Sequence, residues 1–189
     1  VLEKDEYIFN GSKIFITNAQ EAQVYAVLVR TDPSKGPQGI SMLLIEKGTE
    51  GFSSGKEEEK MGLRGTSSRE LFFRDCRVPK ENLLGKEGAG CLVAMKTLDQ
   101  SRPGVAAQAL GIAAGALDEA VEYAKTRKQF DHPISSFQAI QHILANMATD
   151  VEAARALIYA VARAIDKGDK DVSGPSAMCK LFASDVAMR

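Results

Sequence analysis

Thr126-Arg127-Lys128-Gln129-Phe130-Asp131-His132-Pro133, followed by Phe137-Gln138-Ala139-Ile140-Gln141, stands between two long Ala-rich segments with helical spacing. A corner between two helices needs only Gly, Asn or Pro. This one carries a guanidinium (Arg127), a stacking face (Phe130) and an amide that both donates and accepts (Gln138). A planar cationic fork suits a phosphate or diphosphate, so the set fits a nucleotide. The plainer alternative is a solvated corner with one buried Phe. The corner residues by themselves leave both readings open.

Outward from the corner the pattern is helical on both sides. Phe137, Ile140, Leu144, Met147, Val151, Ala154, Ile158, Val161 and Ile165 recur at three- and four-residue steps, predicting a helix from about Ser136 to Asp166 with a core or interface stripe. Gly168 ends it, and Gly174-Pro175 opens a further helix with Met178, Leu181, Phe182 and Val186. Before the corner, Arg102 to Arg127 predicts a helix whose interior is small: Ala106, Ala107, Ala109, Gly111, Ala113, Gly115. A first helix is expected over Gly88 to Leu98. Asp99-Gln100-Ser101 is expected to break it and cap the next, with Pro103 in that helix's first turn, where its missing N–H costs nothing.

Residues 1–85 have the period of strands. Tyr7-Ile8-Phe9 leads to Asn10-Gly11, a two-residue hairpin signal, and then to Lys13-Ile14-Phe15-Ile16-Thr17. Val24 to Val29 is a nearly continuous apolar run, as in a strand covered on both faces. Gly39 to Ile45 and Glu70 to Val78 complete the set, and the charge run Lys56 to Lys60 suits a solvated strand edge or loop. The expected class is α+β: an antiparallel, barrel-like β-domain over 1–85, then an up-down four-helix bundle over 86–189 that is truncated.

The chain has 189 residues, a net charge of −1 and 26% charged residues, so nothing calls for nucleic acid or an anionic membrane. No apolar run approaches the roughly 20 residues of a membrane span. A basic n-region with an apolar h-region is absent, so no signal peptide is read. Cys76, Cys91 and Cys179 are too dispersed for a disulfide framework or zinc site and read as free thiols. His132 and His142 are too few for a metal cluster. The chain starts at Val1 and stops at Arg189 within a helical pattern, which suggests cuts in a longer protein.

Five segments in order resemble acyl-CoA dehydrogenases, with a flavour closest to short-chain, butyryl-CoA-type members. They are Lys13 to Asn18, Lys60-Met61-Gly62-Leu63-Arg64-Gly65-Thr66-Ser67-Ser68-Arg69-Glu70-Leu71, Val78 to Gly85, Ala106 to Ile112, and the Arg127 to Phe130 corner. The resemblance implies FAD as cofactor and fatty-acid metabolism. It implies α,β-dehydrogenation of an acyl-CoA thioester, a tetramer built as a dimer of dimers, and an electron-transfer flavoprotein as acceptor. Bacterial cytoplasm and mitochondrial matrix both suit such an enzyme. Thr17 resembles the hydroxyl near flavin N5, and Phe15 the aromatic, often Trp, that packs on the isoalloxazine. Arg127 resembles the arginine that reaches the pyrophosphate of a neighbouring subunit's FAD, with Phe130 and Gln138 on its adenosine side. Leu98, Asp99 and Arg102 resemble the start of the helix that lines the acyl-CoA site, with Arg102 expected at a helix N-terminus. Thr66 and Ser67 fall in the loop that approaches the CoA chain. Members commonly carry Gly after the Arg-x-x-Phe corner, where this chain has Asp131.

The resemblance places the usual catalytic glutamate in a segment that would follow Arg189. Some members carry the base near Leu98 to Arg102, where the matching residue is Ser101, which cannot act as a base at neutral pH. No catalytic base and no metal ligand is therefore assigned, and the chain alone is expected to be inactive. The alternatives are an acyl-CoA oxidase or monooxygenase-like flavoprotein of the same fold, or a non-catalytic helical assembly module.

Overall fold

In the computed structural model, which describes residues 2–189, the chain divides into two compact units, Val1–Met95 and Lys96–Arg189. The first contains strands β1 (Leu2–Glu3), β2 (Glu6–Thr17), β3 (Val24–Arg30), β4 (Ile40–Glu46), β5 (Phe52–Glu57) and β6 (Ser68–Pro79). One antiparallel sheet has the order β1-β2-β6-β5, and β3 with β4 forms a second. Inward side chains of both sheets, among them Tyr7, Tyr25, Val27, Leu43, Ile45, Leu71 and Phe73, make one core. Phe52 stacks on Phe73 at 5.2 Å and meets Tyr25 edge-on at 4.8 Å, linking the two sheets. Among the described residues the sheets stay open rather than closing into a barrel; the α+β class with antiparallel strands ahead of helices is as expected.

Two bulges shape the β2–β6 pair. Phe9 faces Cys76 and Gly11 faces Phe73, so β6 has one residue more than β2 over this step. The surplus falls beside Asp75, at φ 47, and shifts the buried positions of β6 from Leu71 and Phe73 to Cys76 and Val78. The Asn10 amide closes the bulge: its Nδ2 donates to Asp75 Oδ1 at 3.0 Å and its Oδ1 accepts from the Asp75 N–H at 2.7 Å. This corrects the expected hairpin at Asn10-Gly11, because β2 runs straight through that dipeptide and its partner lies some sixty residues on. In the second bulge Lys13 faces Leu71 and Ile16 faces Arg69, so the surplus is on β2. Phe15 lies within it at φ 58.

Val24 to Val29 also differs from expectation. Tyr25 and Val27 are buried while Val24 is exposed, because a strand of a two-stranded sheet turns only one face to the core. Strand β5 was not read from the sequence. Its Ser53-Ser54-Gly55 run lacks β-branched residues, and register with β6 carries it as the sheet's edge.

Helix α1 (Gly90–Thr126) is continuous over 37 residues, about 55 Å at the usual rise. The expected break at Asp99-Gln100-Ser101 is absent, and the two helices read there are one. Pro103 is thus inside a helix, where it removes the N–H that would bond the Asp99 carbonyl and costs about 3 kcal/mol when nothing compensates. Compensation comes from α3 (Ser173–Met188): the buried Ser176 Oγ donates to the Asp99 carbonyl oxygen. Between them α2 (Gln138–Asp166) buries Val151, Ala154, Ile158 and Val161, four members of the expected stripe. These meet Ala106, Leu110 and Ala113 of α1 and Cys179, Ala183 and Val186 of α3 in the second core. Gly104, Gly111 and Gly115 of α1 face open space, with nothing within 4 Å of where a Cβ would stand. Cys76 and Cys179 are buried free thiols whose pKa is pushed up by burial.

One glycine is fixed by close approach as well as by φ. Gly51 has φ 79, and a Cβ there would stand 2.3 Å from the Arg74 carbonyl oxygen. Gly51→Ala is expected to destabilise the protein by more than the ~1–2 kcal/mol of a left-handed alanine alone. The measurement is urea unfolding, where the midpoint should fall at unchanged slope; an unchanged midpoint would show that the strand ends yield freely.

Candidate functional site

The residues singled out in the sequence fall into three groups. The first lies where β2 meets the start of β6. Thr17 is paired with Ser68, and the Asn18 N–H donates to the Ser67 carbonyl at 2.9 Å, so Thr17, Ser67 and Thr66 are neighbours. Phe15 sits two residues before Thr17 with 69% of its surface exposed. Thr17 is exposed and edges a cavity of about 370 Å³, lined also by Lys13, Ile16, Tyr25 and Leu71. Thr66 is held by Lys60, whose Nζ donates to its carbonyl at 2.5 Å and to its Oγ1 at 2.9 Å; that Oγ1 in turn donates to the Leu63 carbonyl at 3.1 Å. The buried Ser67 donates its hydroxyl to Glu21 Oε2 at 2.5 Å, and this bond is the chief cause that holds the Glu21 carboxyl below its ordinary 4.5. Ser67 can therefore offer a ligand only its oxygen lone pairs, because its proton is committed.

The second group is the corner after α1. Lys128–Gln129 and His132–Pro133 pair as strands β7 and β8, and the Ile134 N–H closes on the Arg127 carbonyl at 2.9 Å. Phe130 and Asp131 are the two central residues, at φ 52 and 66. Both are left-handed, the pattern of a type I′ turn, which favours Asn-Gly. A phenylalanine in that region is a backbone outlier, and such strain collects at binding sites. Phe130 is also 78% exposed, touching Phe137 only edge-on at 6.3 Å, so the corner is solvated and Phe130 is not a buried Phe. Gln138 is exposed on the first turn of α2. Among the described residues no hydrogen-bond or ion-pair partner is found for the Arg127 guanidinium. Two cations, Arg127 and Lys128, stand against one carboxylate, Asp131, so the donor set matches a diphosphate.

The third group is on α1. Leu98 is exposed, while Asp99 Oδ1 accepts from Arg102 Nη1 at 3.0 Å and from Ser173 Oγ at 2.9 Å. Arg102 lies inside the helix, which corrects its expected place at a helix N-terminus: Pro103 is bridged by Ser176, so the helix does not restart there. Sequence reasoning missed Glu21, Lys60, Ser173 and Ser176, the partners of the residues it did select. Only the last left a signal, since Pro103 stands four residues after Asp99 and orphans its carbonyl.

Two domain models match in order, the acyl-CoA dehydrogenase middle domain over residues 1–76 and the acyl-CoA dehydrogenase C-terminal domain over residues 88–189. The short-chain-specific acyl-CoA dehydrogenase of Megasphaera elsdenii is 52% identical over 183 residues, covering 97% of this chain and 48% of that protein. The solved butyryl-CoA dehydrogenase of Megasphaera elsdenii superposes with a TM-score of 0.92 at 52% identity, covering 97% and 48%. A structure described as the electron transferring flavoprotein of Acidaminococcus fermentans, in work toward a mechanism of flavin-based electron bifurcation, matches with a TM-score of 0.93 at 58% identity, covering 99% and 49%. This chain belongs to the acyl-CoA dehydrogenase family, a family of flavoprotein oxidoreductases. It spans about half the length of the curated relatives it matches.

The Ser67–Glu21 bond sets a pH dependence. A carboxyl whose folded pKa is lowered adds stability above its unfolded pKa and loses it as pH falls through the folded value. Glu21 should therefore titrate below 4.5 in the folded protein, and Ser67→Ala should raise it toward that value. Carbon-detected NMR titration of the glutamate carboxyls reads both; a Glu21 midpoint unmoved by the substitution would remove Ser67 as the cause.

Proposed function

We propose that these residues are the middle and C-terminal parts of a subunit of an FAD-dependent acyl-CoA dehydrogenase acting on short acyl-CoA thioesters. The subunits form a tetramer, and an electron-transfer flavoprotein accepts the electrons. The observation that carries the reading is the Arg127–Phe130 corner: an exposed aromatic ring on a left-handed backbone, beside a guanidinium without a partner among the described residues. An apolar ring in water and a strained backbone both cost free energy, and stacking on a bound ligand offsets them.

FAD, when bound, supplies the acceptor for the hydride that leaves the β-carbon. Arg127 would hold the diphosphate of a neighbouring subunit's cofactor, with Phe130 and Gln138 toward its adenosine part. When FAD is bound, Phe15 would lie against the flavin and keep water from it, and the Thr17 hydroxyl would offer it a hydrogen bond. Thr66 and Ser67 face the CoA chain. Lys60 fixes Thr66, and Glu21 sets Ser67 as an acceptor. Leu98, Asp99 and Arg102 line the acyl-CoA site. Hydrogen bonds to the thioester carbonyl there would make the α-proton more acidic, by stabilising the enolate-like charge. None of these residues is free to remove that proton: Ser101 has no basic oxygen at neutral pH, and Asp99 is occupied by Arg102 and Ser173.

Two outcomes test the reading. In the full-length subunit, Arg127→Ala is expected to weaken FAD binding about ten- to a hundredfold, the size of a charge-assisted hydrogen bond. The flavin absorbance remaining after gel filtration reports it, and full retention would remove Arg127 from the cofactor site. The 189-residue chain by itself is expected to show no butyryl-CoA-dependent reduction of a dye acceptor. Measurable turnover would place a base within it, and hydrogen peroxide in place of dye reduction would mark an oxidase.

A further inference from the structure

Pro103 deprives the Asp99 carbonyl of the donor that every other interior turn of a helix supplies. The lost bond falls at the one turn of α1 that carries Leu98, Asp99 and Arg102. The start of α3 closes it from outside. Ser176, with 0% of its surface exposed, donates its hydroxyl to the Asp99 carbonyl oxygen. Ser173, one turn earlier, donates to the Asp99 carboxylate at 2.9 Å, and Arg102 donates to that same oxygen at 3.0 Å. Backbone and side chain of Asp99 are thus gripped by two serines of one helix terminus. Ser176 is itself anchored, its N–H donating to the Val172 carbonyl at 2.8 Å and its carbonyl accepting the Cys179 thiol at 3.2 Å.

We infer that Ser176 and Ser173 are positioning residues for the acyl-CoA site, acting through Asp99 to hold Leu98 and Arg102 in their binding arrangement. This rests on the acyl-CoA dehydrogenase reading. A proline alone would loosen this turn by removing a bond and pushing the carbonyl off the helix axis. The carbonyl left without its helical donor is the one that Ser176 of the neighbouring helix reaches. Pro103 and Ser176 act as one device: the proline frees the acceptor and the serine fixes it, tying the substrate-lining turn of α1 to α3.

The test is steady-state kinetics on the full-length FAD holoenzyme with butyryl-CoA. Ser176→Ala is expected to raise KM about three- to tenfold, as one hydrogen bond is worth. The change in kcat should stay within about twofold, with flavin content unchanged. Adding Pro103→Ala restores the N–H to the helix, so the double variant P103A/S176A should recover KM to within about twofold of wild type. Rescue by a second substitution is not expected of a serine that only packs. A lowered Tm with unmoved KM, or a raised KM that P103A fails to rescue, would overturn the proposal. Should the S176A protein fail to fold, Ser173→Ala decides instead. Its exposed hydroxyl can be removed without a cavity; KM should rise about twofold, and an unchanged KM would overturn the proposal. A wild-type holoenzyme that retains FAD yet neither binds nor oxidises acyl-CoA would instead sink the functional reading, and this inference with it.

Discussion

A backbone polar group taken out of water must find a partner, and both units of this chain are organised by how their irregular positions meet that demand. In the first, β6 has a surplus residue opposite Asn10, and the Asn10 amide supplies both a donor and an acceptor to Asp75. The amide seats the surplus residue on the exposed rim of the β2–β6 pair, and the shift there lets Cys76 and Val78 follow Leu71 and Phe73 into the core. In the second, Ser176 supplies the donor that Pro103 cannot, so α1 continues as one helix. Side chains complete the lattice where the main chain cannot, and in each case the completing residue is far away in sequence.

Irregularity has a second use. Phe15 and Phe130 share three properties that rarely coincide: a large aromatic ring, a left-handed backbone and wide exposure. Folding energetics alone would select against each of them. A bulge re-aims a side chain that regular alternation would send elsewhere, and a tight turn lifts one away from the helices it joins. Asp131 fits the same logic. At φ 66 a glycine is the easiest occupant, and Asp is among the few others tolerated there. The departure from the family's usual glycine is thus compatible with an unchanged turn, and it differs from glycine chiefly in charge.

The helical unit was legible because its signals are periodic. The stripe from Val151 to Val161 is buried at the spacing the sequence announces, and the corner is a corner. Strand class and approximate strand positions were legible too, from β-branched runs. What failed were local signals overruled by distant partners. Asn10-Gly11 has strong turn propensity, yet Asp75 makes the dipeptide one side of a bulge. Asp99-Gln100-Ser101 before a proline looks like a cap, yet Ser176 keeps the helix whole. Phe52 to Glu57 has weak β propensity, yet pairing with β6 makes it a strand. In the candidate site Arg127, Phe130 and Gln138 stood out by their own chemistry and the other selected residues by resemblance, whereas the partners Glu21, Lys60 and Ser173 are polar residues with no pattern of their own and become visible only when contacts are known.

The corrected place of Arg102 changes what the α1 turn can offer a ligand. A guanidinium at a helix N-terminus would add its charge to the positive end of the macrodipole and favour an anion such as a CoA phosphate. Inside a continuous helix that reinforcement is absent, and Asp99 three residues earlier balances the charge. The turn therefore presents a nearly neutral pair with remaining guanidinium N–H donors held at fixed direction. A pair that is neutral overall attracts an anion less than an unpaired guanidinium would. The Pro103–Ser176 arrangement goes with this turn's place inside one continuous helix.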